Sequence, residues 1–177
     1  GGHNFTSGEV AILKDKKVSL FLHADTIKVL NDSLDRAEKL LAYNRMKFFR
    51  DDFQGACDSM IYSVPDSTIY MYSDPVLWSD ENQLTSDSIH IFVSHNSIDS
   101  LRLYSSAFII SKDTVAGYNQ IKGREMTGYF RDNDLWRIRV SGNAETLYYV
   151  REEDGALIGV NKSVSSYMKI QLQDNDI

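Results

Sequence analysis

One phrase recurs along this chain and constrains its fold more than any other feature. Residues 39–49 (KLLAYNRMKFF), 68–78 (TIYMYSDPVLW) and 100–110 (SLRLYSSAFII) align without gaps, and a weaker copy spans 137–148 (RIRVSGNAETLY). Each copy is two short apolar runs joined by a small or polar step. The anchors Tyr43, Tyr72, Tyr104 and Ser141 lie 29, 32 and 37 residues apart. Self-similarity at such a period marks stacked structural units, each burying its apolar face against the next.

A second phrase alternates with the first. A small residue, an aspartate and a hydroxyl residue precede a run of alternating character: Ala24-Asp25-Thr26, Cys57-Asp58-Ser59 and Ser86-Asp87-Ser88. A later copy, Gly123-Arg124-Glu125, puts arginine where the aspartate stood, and the one around Ser165-Ser166-Tyr167 is weaker. Turn-forming clusters separate the runs: Asn31-Asp32-Ser33, Arg50-Asp51-Asp52, Pro65-Asp66-Ser67, Asp80-Glu81-Asn82, His95-Asn96-Ser97, Arg131-Asp132-Asn133-Asp134, Glu152-Glu153-Asp154-Gly155 and Gln173-Asp174-Asn175. Short β-rich runs at regular spacing predict an all-β stack. Only residues 34–41 have helical character, and they read as at most a single turn capped by Asp32 or Ser33, with a strand from Leu40.

Alternation assigns faces, because side chains point to opposite sides along a strand. The expected inward set is Ile27, Val29, Met60, Ile69, Met71, Ile89, Ile91, Leu101, Leu103, Ile138 and Val140. Tyr70, Tyr72, His90, Arg102, Tyr104, Arg137 and Arg139 face outward on the same reading. Such a set forms a packed sandwich core or an apolar trough. If the interior is a trough, Arg102, Arg137 and Arg139 are candidates to hold phosphate groups at its mouth, since arginine pairs with phosphate through two donors; a solvated outer face is the simpler reading of all three.

The net charge of −6 lacks the basic footprint of a nucleic-acid binder. No apolar run approaches the length of a membrane-spanning helix. No histidine has metal-ligand spacing with another ligand, and no nucleophile, phosphate-loop or dinucleotide motif occurs. The three aspartates could form a calcium ladder, but the glycine-rich turns that wrap calcium are missing. They read better as strand-starting residues whose carboxylates accept backbone N–H groups. Cys57 occupies the small-residue position of Ala24 and Ser86 and reads as a packed residue. The expectation is therefore no catalytic residue, no metal and no cofactor, with a hydrolase the weakest class.

Taken together, the phrases resemble the OstA/LptA family of lipopolysaccharide-transport proteins, closest to its OstA-like branch. The residues that carry the resemblance are Leu22-His23-Ala24-Asp25, residues 41–48 (LAYNRMKF), Leu84-Thr85-Ser86-Asp87-Ser88 and Val140-Ser141-Gly142-Asn143-Ala144. It covers roughly residues 20–150 and more weakly the remainder. The family's usual Gly-Asn-Val step is replaced here by Tyr-Asn-Arg-Met, Tyr-Ser-Asp-Pro-Val and Tyr-Ser-Ser-Ala. The resemblance implies a β-jellyroll or "β-taco" of two facing antiparallel sheets, about eight strands each. It further implies a non-enzymatic periplasmic protein, part of a lipid bridge to the outer membrane, with acyl chains between the sheets. Its partners would be lipopolysaccharide or a related lipid, other OstA-fold transport components, and a second copy joined edge to edge. Residues 1–19 are read as a tag remnant and N-terminal extension, with a signal peptide or membrane anchor removed, and residues 20–177 as one domain. The alternative class is a structural or adhesive β-repeat module that binds a protein or glycan through Tyr70, Tyr72 and Tyr104.

Overall fold

The computed structural model describes residues 3–13, 19–50, 53–79, 81–95, 97–113, 117–131, 134–152 and 154–172, with side chains from residue 21 onward. Every regular element among them is a strand: β1 (His3–Leu13), β2 (Ser19–Asn31), β3 (Ala37–Phe49), β4 (Gln54–Ser63), β5 (Thr68–Tyr72), β6 (Val76–Ser79), β7 (Asn82–Thr85), β8 (Ser88–Ser94), β9 (Ser97–Lys112), β10 (Tyr118–Arg131), β11 (Asp134–Arg151) and β12 (Leu157–Gln171). All pairings are antiparallel, and the sheet runs β1-β2-β3-β4-β5-β8-β9-β10-β11-β12. β6 and β7 leave this path. β4 pairs with β5 through residues 59–63 but with β6 through residues 54–56. β9 likewise pairs with β8 through residues 97–104 and with β7 through residues 108–111. The pairings of β4, β5, β8, β9, β7 and β6 thus close into a ring of six strands, with further strands on either side.

The fork has a local cause that repeats. Asn44-Arg45, Ser73-Asp74, Ser105-Ser106 and Gly142-Asn143 are four pairs of consecutive residues with φ between 50° and 78°. Each pair falls on the polar step of the repeated phrase, directly after Tyr43, Tyr72, Tyr104 and Ser141. Two left-handed residues in succession break the extended course of a strand, and the ladder shifts register there, as between Tyr43 and Met46 or Ser141 and Ala144. Stacked across neighbouring strands, the breaks form a crease that divides the molecule into a β5–β8 arm and a β6–β7 arm. On this view β5 and β6 are one strand broken at residues 73–75, and β7 and β8 one broken at 86–87. Small or compact side chains fill the inside of the bend: Ala24, Cys57, Ser86, Ala107 and Ala144 are all buried.

Both arms contribute to a single apolar interior. Ile27, Met60, Ile69, Met71, Ile89, Ile91, Leu101, Leu103, Ile138 and Val140 come from the β5–β8 arm, and Leu22, Phe48, Leu77, Leu84, Ile109 and Ile121 from the β6–β7 arm. The arms touch: a Cβ placed on Gly55 of the β6–β7 arm would lie 2.4 Å from the Phe48 ring and 3.1 Å from Met71 Cε of the β5–β8 arm. A side chain here would force the Phe48 ring to move.

The sheet begins at His3, where β1 pairs with β2 over most of its length. This strand carries Ser7-Gly8 at its register break in place of the aspartate phrase, so the repeat did not reveal it. Residues 32–36 form a turn, not a helical turn: Asp32 Oδ1 accepts the N–H groups of Leu34 and Arg36 at 2.8 and 3.0 Å, and β3 starts at Ala37. Pro65-Asp66-Ser67 falls between β4 and β5; the remaining turn clusters include residues outside the described ones, and Gln173-Asp174-Asn175 lies wholly outside them.

Candidate binding faces

The inward set comes together on one surface. Ten of its eleven members are no more than 5% exposed; Val29 alone is half-buried, near the outer end of β2. The set came entirely from the β5–β8 arm, so it missed the opposing wall of Leu22, Met46, Phe48, Leu77, Leu84 and Ile109. The signal was present in the second half of each phrase, where Met46/Phe48 and Ala107/Ile109 alternate as regularly as Leu101/Leu103.

The crease explains the second phrase. The Asp25 carboxylate receives Arg45 Nη2 at 2.8 Å and Nε at 3.2 Å, so an aspartate on β2 holds the guanidinium of a left-handed residue on β3. In the later layers the backbone N–H of the aspartate does the joining: Asp58 donates to Ser73 O at 3.3 Å and Asp87 to Ser105 O at 3.1 Å. The expected role, a carboxylate accepting backbone N–H groups, gives way at Asp25 to an ion pair, because arginine stands within reach across the crease. Among the described residues no three His, Cys, Asp or Glu side chains cluster as metal ligands. Cys57 and Ser86 hold equivalent positions and make the same bond. Cys57 Sγ donates to Ser59 O at 3.0 Å, and Ser86 Oγ donates to Ser88 O at 2.7 Å. Burial pushes the Cys57 thiol up to about 12, far from the range of a nucleophilic thiolate.

The outward face of the β5–β8 arm is aromatic and basic. His90 lies between Tyr70 (centroids 4.7 Å) and Tyr104 (4.6 Å), with Tyr72 at 6.2 Å. Burial, and secondarily the positive charge of Arg102, lower the His90 pKa below its ordinary value. Arg102, Arg137 and Arg139, read most simply as outer-face residues and otherwise as candidates for a trough mouth, lie on this face with the interior behind them. Strand parity puts them there, since Leu101, Leu103, Ile138 and Val140 occupy the alternate positions. Arg102 covers Phe92 at 5.5 Å. Arg137 lies 4.2 Å from the Tyr129 centroid and 4.4 Å from that of Trp136, and Arg139 Nη1 donates to Tyr129 Oη at 3.2 Å. Trp136 also carries Arg131, at 4.5 Å. Sequence reasoning passed over Tyr129, Arg131 and Trp136, because a bulge opposite Tyr129-Phe130 breaks the alternation that would have exposed them.

On the β6–β7 arm, the outward side chains of Phe21, Phe49, Trp78 and Lys47 border a depression of about 440 Å³. The sheet path ends in β1 and β12, each paired on one side. β12 leaves Ile158, Val160, Val164 and Tyr167 more than half exposed. No protein-family model matches the chain, and no curated protein is similar to it in sequence.

Proposed function

We propose that this chain is a non-enzymatic lipid carrier of the OstA/LptA type. On this reading it works in the periplasm, as one segment of a bridge that passes lipopolysaccharide or a related lipid toward the outer membrane. Its fold would be the β-jellyroll of that family, the two arms serving as the facing sheets and acyl chains lying between them. The observation that carries the reading is the crease. Left-handed pairs at equivalent repeat positions on β3, between β5 and β6, on β9 and on β11 bend alternate strands in the same place, which folds a long sheet over a single apolar interior. With ten strand layers at about 4.8 Å each, that interior would run for about 45 Å, the scale of an extended acyl region and more. Contact between Phe48, Gly55 and Met71 means that acyl chains enter by parting the arms. The free edges of β1 and β12 would join other OstA-fold components, or a second copy, through added strand pairing.

The test is photo-crosslinking to lipopolysaccharide, with the photoreactive residue placed in turn at Met71, Leu103 and the outward control Tyr72. Crosslinks from Met71 and Leu103 without Tyr72 are expected. A folded protein that crosslinks from none of them, or from Tyr72 alone, removes the lipid reading.

A second reading is favoured by the His90 cluster: a structural or adhesive module that binds a protein or glycan on the outward face bearing Tyr70, Tyr72 and Tyr104. Saturable binding of such a partner by a protein that takes no lipid would select it.

A further inference from the structure

Among the described residues, three of the chain's nine arginines are neutralised by a carboxylate where they stand. Arg36 pairs with Asp32, Arg45 with Asp25 and Arg151 with Asp113. The outward face of the β5–β8 arm is different. Among the described residues, Arg102, Arg131, Arg137 and Arg139 pair with no carboxylate and lie against rings instead. Arg137 Nε is buried without a hydrogen-bond partner. Four arginines without a carboxylate contact, one of them (Arg131) opposite Asp134 in the ladder, make a basic cluster on a chain of net charge −6.

Register places them in rows. Tyr70, His90, Arg102, Thr127, Arg139 and Lys169 are successive Cα partners from β5 to β12. At about 4.8 Å per strand, Arg102 and Arg139 stand about 10 Å apart, with Lys169 about 5 Å further on. The next row carries Phe92, Ser100, Tyr129 and Arg137. Acidic side chains lie off these rows: Glu125 is in the row beside the crease, opposite Tyr104, and Asp99 accepts Ser100 Oγ at a strand end. Stacking on Tyr129 and Trp136 fixes the plane of the guanidinium, which lowers the ordering cost of presenting its paired donors to an oxyanion.

We propose that this face binds an acidic glycan, a saccharide chain bearing carboxylate or phosphate groups, laid across the strands along the Arg102–Arg139–Lys169 row. Such a chain offers oxyanions to the guanidiniums and C–H ring faces to the Tyr70–His90–Tyr104 end. A bilayer surface suits the face less well, since the rings of Phe92, Tyr129 and Trp136 lie half-buried beside guanidiniums and do not project. The inference rests on the outward face of the second reading and is independent of lipid in the interior.

Calorimetric titration of the full chain with an oligomer of uronic acids, against a neutral oligosaccharide of equal length, tests it. Saturable, salt-sensitive binding of the acidic oligomer alone is expected. Arg137→Gln/Arg139→Gln should weaken it at least about tenfold, the loss expected when one charged contact of about 1.4 kcal/mol is removed. Arg137→Lys/Arg139→Lys should fall between, keeping the charge and losing the planar fork. Arg102→Gln, away from the Tyr129–Trp136 stack, repeats the test if the double variant is poorly folded. Crosslinking of lipid at Met71 should be unchanged in all of them, which separates failure of this inference from failure of the lipid reading. No binding of the acidic oligomer, equal binding of the neutral one, undiminished binding by the folded glutamine variants, or binding to anionic vesicles alone would overturn the proposal.

Discussion

Cys57 and Ser86 occupy the same position in successive layers, and each donates to the carbonyl two residues ahead. What the position asks for is a small side chain with a donor, and serine supplies it in one layer already. Cys57→Ser should therefore change unfolding free energy by no more than about 1 kcal/mol, measured by denaturant titration. His90 makes a different prediction. Its folded pKa lies below the value of about 6.5 expected for the unfolded chain, so the unfolded state binds the proton first. Stability is then full above pH 6.5 and declines as pH falls through 6.5 toward the folded midpoint. NMR titration of the His90 ring should give a midpoint below 6.5, and replacing His90 with phenylalanine should remove this part of the acid sensitivity. A midpoint at or above 6.5 would contradict the packing seen around the ring.

Each crease break is an element-scale device, because one pair of left-handed residues redirects a whole strand. An L-residue with a side chain costs roughly 1–2 kcal/mol in this conformation, and a β-branched one more. Ser106→Val should therefore destabilise the protein by about 2 kcal/mol. Ser106→Gly should be neutral or stabilising, the relief of strain offsetting the added freedom of the unfolded chain; thermal melts of the two variants give the comparison. The crease was legible as the polar step of the repeat, and the anchors Tyr43, Tyr72, Tyr104 and Ser141 mark it to the residue. Its conformation was not, since Asn-Arg, Ser-Asp and Ser-Ser carry no glycine to signal positive φ. Strand parity was equally legible in Ile69/Met71 against Tyr70/Tyr72. It failed where bulges interrupt the count, as at Trp136, and β1 was missed because it lacks the second phrase. The stacking of Arg131, Arg137 and Arg139 on rings could not be read from parity, which tells which way a side chain leaves the strand and not what it meets.

At the scale of the molecule, two substitutions probe the shared interior from opposite arms. Leu103 is fully buried, and Leu103→Asp would place an unpaired carboxylate among aliphatic side chains, at a cost on the order of 4 kcal/mol or more. Loss of the folded state, or of lipid crosslinking from Met71 in any folded fraction, is expected; a stable variant that still binds would mean that Leu103 is not inward. Gly55→Ala tests the approach of the arms. Its methyl group would meet the Phe48 ring and Met71, and a destabilisation of about 1–3 kcal/mol is expected from calorimetry. The crease has one more consequence. Among the described residues each joint is completed by a strand and its immediate neighbour, as Asp25 is by Arg45 and Asp58 by Ser73. A chain so made can grow or shrink in whole hairpins without disturbing the joints that remain, whereas gain or loss of a single residue between two joints would exchange its inner and outer faces. Its length is in effect quantised: insertions and deletions should be tolerated as complete strand pairs or within the turns, and rejected almost anywhere else.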